Sequence, residues 1–244
     1  MLRRAVEIVV IIVIVFVPVV GLVVKDNAGD AVGAAPARPR RSFVTGIITP
    51  VGKDRFSVVP IGTADATITA PMTNRDSNLR EVFWDLTAPD VMDSGACATW
   101  QSASTAGLQQ GIALRASSTA LGTRAILVTK NVFLGAPWVF NIDVWDTAGT
   151  GLTVVKNVDL AAVFHSSGRL APLPWRMCAR VVGNEVDFKV WPVDQLEPSW
   201  GDPRFGGSSA LPPGWAAPGK TGWYVGHLPA GAFATYRDMT TFAA

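Results

Sequence analysis

From residue 42 onward the chain never sustains a helical period. Short apolar or alternating runs follow one another, each cut off by Gly, Pro, Asn, Asp or Ser. The runs fall at 43–49, 55–61, 64–70, 80–87, 96–102, 108–116, 124–130, 137–146, 152–156, 173–183, 185–192, 221–228 and 233–242. Many short strands at this spacing predict an all-β body, either a sandwich or a barrel. A disordered chain is excluded, because 49% of residues are hydrophobic and only 16% are charged. Residues 199–220 break the pattern. They are rich in Gly and Pro and carry Trp200, Phe205 and Trp215, so they read as a long connection held down by its aromatics or bordering a site.

One hairpin can be read to the residue. Gly183-Asn184 supplies a two-residue turn that tolerates positive φ. The register that follows sets Arg180 opposite Asp187, Ala179 opposite Phe188, Cys178 opposite Lys189 and Arg176 opposite Trp191. Strand alternation then sends Trp175, Met177, Ala179, Val181, Val186, Phe188 and Val190 to the core, and the residues between them to the other face. The same parity turns Trp138, Phe140, Ile142 and Val144 inward, leaving Asn141, Asp143 and Trp145 outward. It buries Ala98 and Trp100, leaving Cys97, Thr99 and Gln101 on the non-core side.

The chain contains two cysteines, Cys97 and Cys178, in the part expected to be exported. In an oxidising compartment two such thiols are most simply one disulfide, which would make their strands neighbours; two buried free thiols are the alternative. The candidate contact surface is therefore the non-core face carrying Gln101, Arg180 and Asp187, extended to Asn141, Asp143 and Trp145. Trp offers a stacking plane and the polar groups offer hydrogen bonds, the combination that suits a sugar. The plainer alternative is a solvated sheet face with Arg180–Asp187 as a cross-strand pair.

Ile8–Val24 is an unbroken apolar run of 17 residues, with Arg3 and Arg4 before it and Lys25 and Asp26 after it. As a helix it spans a bilayer core, and the positive-inside rule sends the rest of the chain outward. This predicts a single-pass membrane anchor at 1–24, a flexible linker at 25–41 and an extracytoplasmic body at 42–244. The length of the run favours an anchor over a cleaved signal. Cleavage near Ala35-Pro36-Ala37, with secretion of the body, is the alternative.

Net charge is +2, with 21 basic and 19 acidic residues in all, and residues 42–244 alone sum to −1. The body thus lacks the basic footprint of a nucleic-acid binder. Two cysteines and the histidines His165 and His227 give no ligand spacing, so no metal or other cofactor is expected. Asp90 and Asp93 share a loop that could bind calcium, with too few oxygen ligands nearby to assign a site.

The stretch PWRMCARVVGNEVDFKVWPVDQLEPSW, and after it GKTGWYVGHLPAGAFATYRDMTTFAA, resembles the C-terminal half of concanavalin A-like lectin/glucanase sandwiches. The shared order is a Trp-led strand, a Gly-Asn turn, a KVW strand, an EP-x-W element, a G-x-x-G strand and a closing YRDMTTF strand. The resemblance covers roughly residues 80–244. It implies a two-sheet antiparallel jelly roll with a ligand on the concave face or the rim loops. The implied function is a membrane-tethered binding or structural module for a cell-envelope glycan or a surface protein. The enzymatic alternative is a glycoside hydrolase using Asp143 or Asp187. Glucanases of this fold carry E-x-D-x-x-E on one strand. Here Glu185-Val186-Asp187 begins that pattern, but position 190 is Val and Glu185 sits at the turn.

Overall fold

The computed structural model describes residues 41–74, 77–105, 108–132 and 136–244; the anchor expected at 1–24 and nearly all of the linker lie outside the described residues. Among the described residues no helix is long and apolar enough to cross a membrane.

In chain order the elements are β1 (Phe43–Thr49), β2 (Ser57–Ile61), β3 (Asp65–Thr69), β4 (Arg80–Asp85), β5 (Ser94–Ala103), β6 (Gln109–Thr119), β7 (Gly122–Lys130), β8 (Val139–Asp146), β9 (Gly151–Asp159), the single-turn helix α1 (Ala161–Phe164), β10 (Trp175–Val182), β11 (Glu185–Pro192), β12 (Gly206–Ala210), β13 (Lys220–Gly226) and β14 (Phe233–Ala243). They form two seven-stranded antiparallel sheets. The first has the order β1-β4-β13-β6-β7-β8-β9, and the second β12-β11-β10-β5-β14-β3-β2. The expected all-β two-sheet sandwich is thus the observed one, and every expected strand is present.

Two elements were not expected. Helix α1 is a single turn after β9. Strand β12 lies inside the segment read as an irregular connection. Its sequence, Gly-Gly-Ser-Ser-Ala, has no apolar alternation, so nothing local marks it as a strand. It exists because β11 offers it a free edge, with Asp187 paired to Ser208 and Lys189 to Gly206. The approach is close enough to demand glycine: a Cβ on Gly206 would lie 1.9 Å from the Phe188 carbonyl oxygen.

Between the sheets lies a core that includes Trp100, Trp175 and Trp223 with Phe83, Phe140, Phe164, Phe188 and Tyr236. The β10–β11 hairpin has the register its turn predicts, including Arg180↔Asp187 and Cys178↔Lys189. Cys178 also faces Cys97 across β10 and β5, and the two are bonded (S–S 2.03 Å). Arg41, read as the end of the linker, instead docks on the sandwich. Its Nε donates to Asp85 Oδ2 at 2.7 Å and its guanidinium lies 5.0 Å from the Trp223 ring.

The first sheet is strongly curled. Three strands separate β4 from β8, about 19 Å in a flat sheet, yet the Arg80 guanidinium sits 5.4 Å from the Trp145 ring. Edge strand β1 folds over toward the β6–β7 hairpin, where a Cβ on Gly46 would lie 3.0 Å from Ser118 Cβ. The non-core face of this sheet is therefore a concave trough. Val82, Trp84, Ala113, Ala125, Leu127 and Tyr224 belong to a second apolar cluster inside it.

Candidate functional site

The six residues expected to share one surface fall on two. Asn141, Asp143 and Trp145 lie on β8 in the first sheet, and Gln101, Arg180 and Asp187 lie on β5, β10 and β11 in the second. Their core-facing neighbours, Phe140, Ile142 and Val144 on one side and Trp100, Ala179 and Phe188 on the other, meet in the same interior. Asn141, Asp143 and Trp145 thus look away from Arg180 and Asp187 across the sandwich. Strand parity was read correctly for these five, whereas Gln101 falls at a break in the β5–β14 register and lines a cavity with Gln110, Lys130 and Trp175. What strand parity cannot encode is which sheet a strand joins.

Arg180 and Asp187 do come together. Arg180 Nη2 donates to Asp187 Oδ2 at 3.0 Å, on a part-exposed face. A cleft of about 340 Å³ opens beside them, lined also by Val182, Glu185, Trp200, Gly201 and Ser208. Trp200 arrives from the aromatic-bearing connection, and Lys189 holds that connection in place. Lys189 Nζ donates to the Pro198 carbonyl at 2.8 Å and pairs with Glu197 at 2.7 Å. The Val190 amide donates to the Phe205 carbonyl at 2.7 Å. Trp200 and Phe205 then pack beside the Cys97–Cys178 disulfide and Trp191. The Trp200 ring lies 4.2 Å from the Arg180 guanidinium and 4.8 Å from Lys189 Nζ.

Asp187 is only half satisfied. Its Oδ1 is buried and has no hydrogen-bond partner among the described residues. Burial raises its carboxyl above the ordinary aspartate range, while Arg180 pulls the other way. The cleft therefore joins an aromatic plane, a guanidinium donor and a buried acceptor oxygen without a partner among the described residues. Gln101 is not part of it. It lines a separate cavity with Gln110, Lys130 and Trp175.

The concave trough holds the other trio. Asp143 is 5% exposed. Burial pushes its carboxyl up to about 7, and Thr129 opposes this with a hydrogen bond. Asp143 Oδ1 and Asn141 Oδ1 are buried without partners among the described residues. Tyr224 Oη donates to Gln109 Oε1 at 2.6 Å, and burial pushes the phenol far up.

Sequence reasoning missed Ser208, which sits on the unmarked strand β12, and Arg80, which reaches Trp145 only through the curl of its sheet. Trp200 was foreshadowed by the aromatic content of its segment. Glu81 was also missed. It is fully buried facing the core, its Oε1 accepts the Phe56 amide at 3.0 Å, and burial raises it to about 7. The glucanase pattern ends in the interior: Val190 is buried in the core while Glu185 and Asp187 face outward, so no third carboxylate joins them on this strand. In the Asp90/Asp93 loop, Asp93 Oδ1 accepts the Gly183 amide at 2.8 Å and Asp90 faces Lys220 Nζ at 3.4 Å, so both carboxylates serve as structural partners.

No family model matches the chain, and no curated protein sequence matches it. Among solved structures it is similar to the exoplasmic/lumenal domain of VIP36 in its Ca2+/Man3GlcNAc-bound form, with TM-score 0.49 and 10% identity over 79% of this chain and 83% of that one. It is similar also to the carbohydrate-binding module CBM66 from Bacillus subtilis, with TM-score 0.48 and 8% identity over 82% of this chain and 95% of that one. A Bacillus subtilis protein with a galectin-like fold aligns with TM-score 0.46 and 10% identity over 82% of this chain and 89% of that one.

Proposed function

We propose that this chain is a glycan-binding module of the concanavalin A-like jelly-roll type, tethered to the membrane and facing away from the cytoplasm. Its ligand is a sugar unit of an envelope polymer, and its site is the cleft between Arg180, Asp187 and Trp200. One observation carries this reading: an indole wall, a guanidinium and an acceptor oxygen without a partner converge on one open cleft. A sugar ring offers an apolar C–H face to the indole and hydroxyls that donate to Asp187 and accept from Arg180. The exported location is supported by the Cys97–Cys178 disulfide, a bond at home in oxidising compartments, and by the apolar run Ile8–Val24 with its preceding arginines.

The test is binding of the purified full-length chain to a glycan array and to insoluble envelope polysaccharides. Wild type is expected to be retained on at least one polymer. Trp200→Ala is expected to weaken that retention tenfold or more, and Asp187→Asn several-fold. Failure to bind any envelope polymer would remove the glycan reading. Equal binding by wild type and Trp200→Ala would move the site elsewhere.

A further inference from the structure

A larger cavity opens at one end of the sandwich, beside β5, β6, β7 and β10. Its volume is about 540 Å³, and its apolar wall is made by Leu108, Leu170, Ala171, Pro172, Leu173 and Trp175. Two polar side chains of the inner sheet face, Gln110 and Lys130, also line it. They are cross-strand neighbours, since Gly111 faces Thr129 in the β6–β7 register and the adjoining positions face each other in turn. Both point the same way as the core residues Ile112 and Val128, two positions along their strands.

These two groups are poorly satisfied. Lys130 is 4% exposed and Gln110 is 2% exposed. Among the described residues the Lys130 ammonium donates only to the Leu108 carbonyl at 3.4 Å and the Asn131 carbonyl at 3.3 Å, both long contacts. No carboxylate pairs with it among the described residues. Gln110 Nε2 has no partner among them either. A buried ammonium ordinarily has a counter-charge, and a buried amide donor ordinarily has an acceptor. Burial lowers Lys130 to about 8, so it still carries its proton at neutral pH.

We propose that this cavity binds a small monocarboxylate with an apolar body, whose two carboxylate oxygens accept from Lys130 Nζ and Gln110 Nε2. Two neighbouring donors match the two oxygens of one carboxylate. A single cation favours a single negative charge, because a dianion such as phosphate would bury one charge uncompensated. The apolar wall takes the rest of the molecule, and the volume falls in the range of small-molecule sites. The cavity shares no lining residue with the Arg180–Asp187–Trp200 cleft, so the proposal stands or falls apart from the glycan reading.

The full-length chain is titrated calorimetrically with phenylacetate and octanoate, and in parallel with phenylacetamide and octanol. At least one acid is expected to bind saturably, with its uncharged analogue at least tenfold weaker. Lys130→Met keeps the chain's length and apolar stem while removing the buried charge, and is expected to weaken the acid tenfold or more. Gln110→Leu is expected to weaken it several-fold, and Leu173→Trp, which fills the wall, to abolish it. Should Lys130→Met not fold, the acid-against-analogue comparison and Gln110→Leu decide the matter. No saturable binding by either acid would overturn the proposal. So would equal affinity for acid and analogue, or unchanged affinity in a folded Lys130→Met.

Discussion

The two faces of the sandwich carry the same three residue types in two different states. On the second sheet, Arg180, Asp187 and Trp200 border an open cleft, with guanidinium and carboxylate 3.0 Å apart and the indole 4.2 Å from the guanidinium. In the trough of the first sheet, Arg80 lies 5.4 Å from the Trp145 ring, while Asp143 is sunk to 5% exposure, forms no ion pair among the described residues and is raised to about 7. The contrast separates composition from availability. An aspartate beside an arginine at the rim of an open cleft is held nearer its ionised form by that partner. One desolvated under a curled sheet holds its proton into the neutral range and acts on stability instead.

The largest expected effect lies in the trough. Folding holds the Asp143 carboxyl at about 7 against an ordinary 3.8, so between these values the folded chain keeps a proton the unfolded chain has lost. Stability from this group is full below about pH 4 and is lost as pH rises through about 7. The three-unit displacement corresponds to something on the order of 4 kcal/mol. Glu81, raised from 4.5 to about 7, adds a term of the same sign. Asp143→Asn should therefore gain on wild type between pH 4.5 and pH 8 in urea unfolding, removing the Asp143 part of the slope and leaving that of Glu81 together with the opposing part of His227, whose imidazole burial lowers to about 4. An unchanged slope would show that Asp143 ionises freely and that the two faces are alike.

Next in size is the exchange of roles between the two tryptophans. Trp145→Ala should cost about 2 kcal/mol of stability, less than a fully buried indole because Trp145 is half-buried, and should leave glycan retention intact. Trp200→Ala should show the reverse emphasis, with at least about 1.4 kcal/mol of binding lost, the equivalent of tenfold. Paired melting and retention measurements on both variants check this. If Trp145→Ala were the one to lose retention, the trough would be the binding face.

The smallest effect is the Arg180–Asp187 coupling. Both side chains are partly exposed, at 33% and 15%, so a double-mutant cycle on stability should return about 1 kcal/mol or less. A coupling well above that would mark the cleft as a desolvated, rigid site like the trough.

The legible part of the fold was local. The Gly183-Asn184 turn, the alternation on either side of it and the resulting Cys178↔Lys189 register needed only residues adjacent in sequence. The Cys97–Cys178 bond followed from counting thiols and assigning faces. The candidate site was legible only in half. Arg180 and Asp187 sit on one hairpin, so their meeting is a short-range fact. Trp200 reaches them through the hold of Lys189 on Pro198 and Glu197, which no periodicity reveals. Ser208 joins through β12, a strand whose residues carry no strand signal of their own.

Alone, the order of amino acids determined which side of each strand is apolar, because successive side chains alternate by covalent geometry. Tertiary structure decided which sheet each strand enters and how far that sheet curls, because both depend on pairing between segments distant along the chain. That is why Asn141, Asp143 and Trp145, correctly assigned to a non-core face, ended on the opposite side of the sandwich from Arg180 and Asp187.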